Sequence, residues 1–287
     1  MKLAYYPGCS AKYSAGIYDL SLQWVLAKLE TELTELPDWI CCGATSAHAL
    51  EKPAAFLLPA ANLLRAQKLE LDLLAPCSAC YQRLKIAANE LLNRPQANSE
   101  LKEALGEEFR GTIKILSLLE VLNHNLGKLT GLIRRDLAGA KAIPYYGCLL
   151  SRIPGVKGFD DQANPVFMDR LLEITGAEVL DFPRKTDCCG AAFGVCEERL
   201  YEKLSGEILD EARKAGGEYL VACCPFCQLN LEMLGWKRKK QDKTYQPLPV
   251  LFITQWLGLA LGGNPKELGI KSLLIEPGNL TALLNGR

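Results

Sequence analysis

Four cysteines recur at one offset. Cys41, Cys42, Cys77 and Cys80 are each followed by another cysteine 147 residues later, at Cys188, Cys189, Cys224 and Cys227. Cys9 recurs 139 residues later as Cys148, so only the spacer between the first cysteine and the Cys-Cys pair differs. The flanks agree as well: LAYYPGC against IPYYGC, CCGA against CCGA, LDLLAPCSACYQRL against EYLVACCPFCQLNL. Unrelated cysteines do not produce four identical offsets. They mark an internal duplication of about 140 residues, which divides the chain into residues 1–140 and 141–287.

Each half reads as α/β. Residues 3–6 and 142–146 are short apolar runs leading into the first cysteine, as buried strands ending at a loop would. Helical periodicity follows over 17–36 and 164–176, then over 53–69 and 197–215, where Ala, Leu, Glu and Lys are frequent. LDLLAP and EYLVAC read as strands ending at the Cys-x-x-Cys motifs, with the helices SACYQRLKIAANELL and FCQLNLEML beginning there. TIKILSLLEVL and LPVLFITQWLGL each read as a strand followed by a helix. This alternation predicts two pseudo-symmetric cysteine-rich lobes, each with a small, mostly parallel sheet and flanking helices. Such sheets gather ligands at the carboxyl ends of their strands, and every cysteine element follows a predicted strand or lies in a loop.

The twelve cysteines are the anomaly in an ordinary composition. Hydrophobic residues make up 49% and charged residues 23% of the 287, and 33 basic residues balance 33 acidic ones. Zero net charge argues against a nucleic-acid binder. The N-terminus MKLAYYPGCS lacks the basic and apolar regions of a signal peptide. The longest apolar run, 248–262, contains Thr254 and Gln255 and falls short of the roughly 20 residues of a membrane helix. The expectation is a cytoplasmic chain without a transmembrane segment. Thiols stay reduced there, so many cysteines point to metal or redox chemistry.

Thiolates are the soft ligands of zinc and iron–sulfur centres. A Cys-x-x-Cys at a helix start turns two sulfurs to one centre, where backbone N–H groups favour their negative charge. Adjacent cysteines on a regular strand face opposite ways. A Cys-Cys pair serving one site therefore needs an irregular loop, which Gly43 and Gly190 permit. One zinc takes four ligands, and one cubane [4Fe–4S] cluster takes four thiolates. Five per half is one too many for either. The fifth is a free reactive thiol, or the centre is unusual; two zinc-stapled lobes are the purely structural reading.

The pattern C-x(31–39)-C-C-G-x(33)-C-x-x-C, present twice, resembles the cysteine-rich CCG domain of the heterodisulfide reductase B subunit, over about residues 3–260 and all ten cysteines. The resemblance implies a non-cubane [4Fe–4S] cluster in each half. Cys9, Cys41, Cys42, Cys77 and Cys80 would hold the first, and Cys148, Cys188, Cys189, Cys224 and Cys227 the second. It further implies that the clusters face each other across a pseudo-twofold cleft and cleave a disulfide there with two electrons. In methanogens that substrate is the mixed disulfide of coenzyme M and coenzyme B. Bacterial relatives act on other disulfides or pass electrons to a partner enzyme. The CCG proteins of lactate and glycolate oxidation are also relatives, and the complete five-cysteine set in both halves argues against that branch. One [4Fe–4S] cluster with one zinc is the alternative cofactor content.

The sequence contains no C-x-x-C-x-x-C-x-x-x-C ferredoxin run and no G-x-G-x-x-G after a strand. Neither a wire of cubane clusters nor a flavin or nicotinamide site is expected in it, and electrons must come from another polypeptide. The resemblance implies two partners in one complex, an iron–sulfur C subunit with cubane clusters and a flavin-containing A subunit behind it.

Other residues make weaker claims. Cys196 and Cys223 have no counterparts, since Ala49 and Pro76 hold the matching positions. They read as small buried apolar residues, with a redox role as the competing reading. His48, six residues after Cys42, is the candidate proton donor to a leaving thiolate, against an ordinary surface or core histidine. His124 reads as a helix end near Gly127. Lys12 and Arg152 follow the first cysteine of each half by three and four residues, and are candidates for holding an anionic substrate group, against plain solvated charges. The run WKRKKQDK at 236–243 reads as an exposed loop, with docking to a partner as the competing reading. The Gly- and Pro-punctuated tail 263–287 reads as a segment packed across this chain or a partner.

Overall fold

The computed structural model describes residues 1–44, 47, 51–278 and 280. Among these residues eight strands form two four-stranded sheets in which every pairing is parallel. The first sheet contains β1 (Lys2–Tyr5), β2 (Glu32–Glu35), β3 (Leu73–Leu74) and β4 (Ile115–Leu116), ordered β2-β1-β3-β4. The second contains β5 (Lys141–Tyr145), β6 (Glu178–Val179), β7 (Tyr219–Ala222) and β8 (Val250–Phe252), ordered β6-β5-β7-β8. In chain order the helices are α1 (Gly16–Lys28), α2 (Lys52–Lys68), α3 (Ser78–Asn93), α4 (Pro95–Leu105), α5 (Leu118–His124), α6 (Leu126–Leu132), α7 (Cys148–Ser151), α8 (Phe167–Glu173), α9 (Glu198–Lys214), α10 (Pro225–Gln241) and α11 (Ile253–Ala260).

Parallel strands covered on both faces need apolar residues throughout. β7 (YLVA) and β8 (VLF) are buried along their length, and β1 is buried after Lys2. The edge strand β2, ELTE, is largely exposed. Its pattern carries no strand signal, so the helical periodicity over 17–36 runs through it. In the structure α1 ends at Lys28, the chain reverses through Glu30 at φ 54°, and β2 follows. In the second half the helix read over 164–176 is shorter, α8 running Phe167–Glu173, and the two-residue strand β6 begins beyond it at Glu178.

Three further features depart from the sequence reading. α4, with Pro95 in its first turn and Gly106 closing it at φ 79°, was not anticipated, although Pro at the start and Gly past the end is a helix signature. α6 was not anticipated either. The basic run 236–243 is mostly helix, because α10 continues to Gln241; cations at a helix C-terminus oppose the macrodipole favourably. His124 does close α5, whose start is fixed by a reciprocal pair of hydrogen bonds between Ser117 and Glu120.

The two halves share one interior. α1 packs on α11, α11 on α8 and α8 on α5, so four helices form a continuous layer across the boundary. Tyr18 of α1 stacks on Phe252 at 4.5 Å between ring centroids. The Ser21 and Thr254 hydroxyls share a buried hydrogen bond of 2.7 Å. Asn123 Nδ2 donates to the Phe167 carbonyl at 3.1 Å on the pseudo-symmetric side. The main apolar core draws side chains from both halves, and a smaller one lies against Ile143, Tyr145, Leu220 and Ala222 of the second sheet. The described part of the tail packs on this chain: Ile275 N donates to the buried Glu232 carboxylate at 3.2 Å, and Gln255 Nε2 donates to the Leu268 carbonyl at 3.2 Å.

Candidate metal centres

A strand order of 2-1-3-4 puts a topological switch between the first and third strands, where open parallel sheets bind ligands. Both switch-point strands end at cysteines. β1 runs into Cys9, which opens a wide helical turn over Ser10–Ser14; β3 runs into Cys77, with Cys80 in the first turn of α3. The Cys41-Cys42 pair follows edge strand β2. β5, β7 and β6 deliver Cys148, Cys224 with Cys227, and Cys188 with Cys189 to the equivalent edge. Topology alone thus collects five thiols at one edge of each sheet.

Within each edge the thiols touch. Cys42 Sγ lies 3.4 Å from Cys80 Sγ, and Cys189 Sγ lies 3.5 Å from Cys227 Sγ. The Gly43 and Gly190 amides donate to Cys41 Sγ at 3.4 Å and Cys188 Sγ at 3.3 Å. Gly8 and Gly147, at φ +65° and +70°, sit just before the first cysteines. A Cβ there would stand 2.9 Å from the sulfurs of Cys80 and Cys227, so only glycine lets the strand end pass the Cys-x-x-Cys motif.

Two tyrosines hold the Cys-Cys loops. Tyr6 O–H donates to the Ile40 carbonyl at 2.7 Å, and Tyr145 O–H donates to the Asp187 carbonyl at 2.6 Å; residues 40 and 187 immediately precede the pairs. The Tyr-Tyr dipeptides are therefore not superposed residue for residue. Tyr6 and Tyr145 play the same part, whereas Tyr5 and Tyr146 reach the helix-start aspartates Asp19 and Asp169. Ile40 has a second clamp: its N–H donates to Asn62 Oδ1 at 3.0 Å and its carbonyl accepts from Asn62 Nδ2 at 2.9 Å. The Asp187 carbonyl has no second donor among the described residues. Tyr145→Phe is thus expected to cost about 1 kcal/mol, the loss of a partly buried hydrogen bond whose acceptor is left without a partner, and Tyr6→Phe roughly half as much. Paired denaturant melts check the ranking; equal losses would contradict it.

The two edges also meet each other. The Cys77 thiol of the first half neighbours the Cys224 thiol of the second. Tyr18 O–H sits between the carbonyls of Pro76 at 3.1 Å and Cys223 at 3.2 Å, the residues preceding the two Cys-x-x-Cys motifs. α3 packs on α7, and α10 packs on the Ser10–Ser14 turn. Each Cys-x-x-Cys helix therefore rests on the first-cysteine element of the other half.

Proton sharing divides the thiols: Cys42, Cys188 and Cys224 are held toward the thiolate, the ligating form, while Cys41, Cys77, Cys80, Cys148 and Cys227 are raised, chiefly because they share protons with neighbouring thiols. Hydrogen bonds from the Cys41 and Cys80 thiols hold Cys42 down to about 3. A hydrogen bond from Cys148 holds Cys188 down to about 6, against the cost of burial. Hydrogen bonds from Cys227 and then Cys77 lower Cys224. Burial, then the nearby sulfur charges, pushes Tyr6 and Tyr145 far up, so both hydroxyls remain donors. Cys41 and Cys188 are exposed, Cys9 and Cys148 half-buried, and the other six buried. Among the described residues no three or more His, Cys, Asp or Glu side chains close on a single ion. The donor set is all-thiol and spread along an edge, which suits a centre larger than one ion.

The weaker candidates separate. Lys12 pairs with Glu35 at 2.9 Å on the surface. Arg152 Nη2 donates to Thr186 Oγ1 at 2.8 Å, two residues before Cys188, so this cation does border a Cys-Cys loop. Cys223 is buried as read, its thiol donating to the Tyr146 carbonyl at 3.6 Å. Cys196 is not: it is exposed on the turn after Ala191–Phe193, with its thiol toward the Ala192 carbonyl, because that turn faces away from the core. His48 lies outside the described residues. Sequence reasoning overlooked Tyr6, Tyr145 and Tyr18; the Tyr-Tyr dipeptide before each first cysteine was the available signal.

The family model of the cysteine-rich CCG domain matches residues 3–85 and again residues 144–232. The chain belongs to the CCG cysteine-rich domain family. This CCG protein is 34% identical over 284 residues to the B subunit of the ferredoxin:CoB-CoM heterodisulfide reductase of Methanosarcina mazei, covering 96% of this chain and 94% of that one. It is 31% identical over 277 residues to the 8-methylmenaquinol:fumarate reductase membrane anchor subunit of Wolinella succinogenes, covering 96% and 97%. A solved structure of a hypothetical protein from Helicobacter pylori shares the fold, with a TM-score of 0.77 at 16% identity, over 96% of this chain and 52% of that longer one. The CCG chain is thus related over nearly its whole length to subunits of oxidoreductase complexes, including the B subunit of heterodisulfide reductase. No helix among the described residues is long and apolar enough to cross a membrane.

Proposed function

We propose that the chain is the disulfide-cleaving subunit of a heterodisulfide-reductase-type complex, with lobes 1–140 and 141–287 each holding one non-cubane [4Fe–4S] cluster through its five cysteines. The observation that carries this reading is the meeting of two all-thiol edges at Cys77 and Cys224; its support is the kinship to the heterodisulfide reductase B subunit. When bound, the two clusters supply electrons and iron sites for sulfur. The net reaction breaks one S–S bond, takes up two electrons and two protons, and releases two thiols.

The chain's own residues position and admit. Tyr6 and Tyr145 pin the Cys-Cys loops, and Tyr18 ties the two Cys-x-x-Cys starts together. The exposed Cys41 and Cys188 mark the side from which substrate arrives. Arg152, anchored on Thr186, holds a sulfonate or phosphate end of the disulfide. Lys12 is the weaker partner because Glu35 already pairs with it. His48 donates a proton to one leaving thiolate. Iron–sulfur and flavin-containing subunits of the same complex deliver the electrons. The substrate is a coenzyme M–coenzyme B type disulfide. A second reading, in which the same centres relay electrons to a partner enzyme, is favoured by the kinship to a fumarate reductase subunit.

The test is anaerobic purification followed by iron and acid-labile sulfide analysis and viologen-driven reduction of the coenzyme M–coenzyme B heterodisulfide. About eight iron and eight sulfide with turnover support the proposal. The same iron without turnover of this or any simple disulfide leaves the relay reading. Zinc in place of iron overturns both. Thiol footprinting adds an internal control. In the iron-loaded chain iodoacetamide is expected to label Cys196 alone, and chelation should open Cys41 and Cys188 first, the exposed members of each set. Rapid labelling of either in the loaded protein would contradict their assignment as ligands.

A further inference from the structure

The two halves differ most between the first cysteine and the inner helix, where the spacers to the Cys-Cys pair are 31 and 39 residues. In the second half, residues 152–166 separate α7 from α8 and fold over α3 of the first half. Gln82 Nε2 donates to the Arg152 carbonyl at 3.3 Å. A Cβ on Gly155 would stand 3.9 Å from Asn89 Nδ2. Phe159 meets Tyr81 edge-on at 6.3 Å. The first half has no such segment: the Ser10–Ser14 turn passes through Ala15 directly into α1.

The pseudo-symmetric face, on α10, therefore has no such cover among the described residues. The 147-residue offset maps Gln82, Ile86 and Asn89 onto Leu229, Met233 and Trp236. These lie three or four residues apart, on one helix face, and are 39%, 40% and 38% exposed. Tyr13, on the turn that packs against α10, is 79% exposed. Where the covered helix shows two polar residues to its cover, the uncovered one shows Leu, Met and Trp to water. Such a stripe reads as an interface when its rim is charged. At its far end Lys240 lies over the Trp236 ring at 5.2 Å, and Lys239 reaches only the Lys243 carbonyl at 2.8 Å. Neither forms an ion pair among the described residues, although Asp242 lies near Lys239, whereas Lys237 and Arg238 are already paired with Glu198, Glu202 and Asp210.

We propose that the Leu229–Met233–Trp236 face of α10 docks a partner polypeptide of the complex, one that lays an apolar segment where residues 152–166 lie in the other half and turns carboxylates toward Lys239 and Lys240. The stripe begins two residues after Cys227. At 1.5 Å per residue it extends from about 3 Å to about 13 Å beyond that cysteine along the helix axis, so the docked chain sits beside the second thiol set. Its role as electron donor rests on the proposed function; the docking itself does not.

The test compares the full-length chain alone with the complex isolated anaerobically from the source cells, by amide hydrogen exchange. Exchange over 228–240 is expected to slow at least tenfold in the complex only. Met233→Glu/Trp236→Glu should weaken association at least about 30-fold, the loss of one interface anchor, and Lys239→Glu/Lys240→Glu should weaken it most at low salt. Iron content and viologen-driven turnover should be unchanged in both variants, which separates failure of docking from failure of the proposed activity. Protection of 228–240 already present in the isolated chain, from its own tail or a second copy, would overturn the proposal. So would co-isolation of no partner, or a complex indifferent to Met233→Glu/Trp236→Glu.

Discussion

Cys42→Ala, purified without oxygen, is expected to lose the iron of the first half and keep that of the second, falling from about eight to about four iron per chain. The position is central to its edge. Cys42 is buried, touches Cys80 at 3.4 Å, and carries the thiolate that Cys41 and Cys80 stabilise with their hydrogen bonds. Alanine removes the charge and leaves two thiols without their acceptor. Cys189→Ala should mirror the result in the second half, since Cys189 holds the same relation to Cys227. Iron, sulfide and the visible absorption of each variant read the outcome. Full iron in Cys42→Ala would sink the ligand assignment. Loss of all iron would show that the two edges assemble only together, through the Cys77–Cys224 contact.

Tyr18→Ala is expected to destabilise the whole molecule by about 3–5 kcal/mol, the usual cost of deleting a large buried aromatic. Its ring is fully buried against Phe252, and its hydroxyl sits between the backbones that lead into both Cys-x-x-Cys motifs. At about 2–4 °C per kcal/mol, the loss amounts to a fall of about 6–20 °C in Tm. Iron should become labile in both halves, not in the first alone. Tyr18→Phe keeps the stack and removes only the hydroxyl, and should cost about 1–3 kcal/mol. A melt of Tyr18→Ala within about 1 kcal/mol of the parent would mean that the halves do not depend on this seam.

Much of this architecture was legible because it repeats. Ten cysteines at matched offsets identified the thiol sets, and alternating strands and helices identified the sheet class. The missed elements are those whose local pattern is weak. β2 and β6 are short edge strands: a neighbouring helical pattern absorbs β2, and β6 is only two residues long just past another. α4 and α6 are short helices in the more polar linking segments. Cys196 shows the limit at the site: a cysteine in a cysteine-rich chain invites a buried reading, yet its turn faces water. The loop-holding tyrosines escaped because the Tyr-Tyr dipeptides match in sequence but slide by one residue in space.

The amino-acid order alone carries the inventory and its symmetry: five thiols per half, each set placed after strands, in a family whose relatives serve oxidoreductase complexes. That information is local, held in spacing and in side-chain period. Tertiary structure was needed to show that β1 and β3 flank the switch point, that Cys77 neighbours Cys224, and that residues 152–166 cover α3 while no described residues cover the matching face of α10. These are contacts between residues far apart in the chain. They follow from burying two sheets and four shared helices in one interior, and no short window of sequence records that global solution.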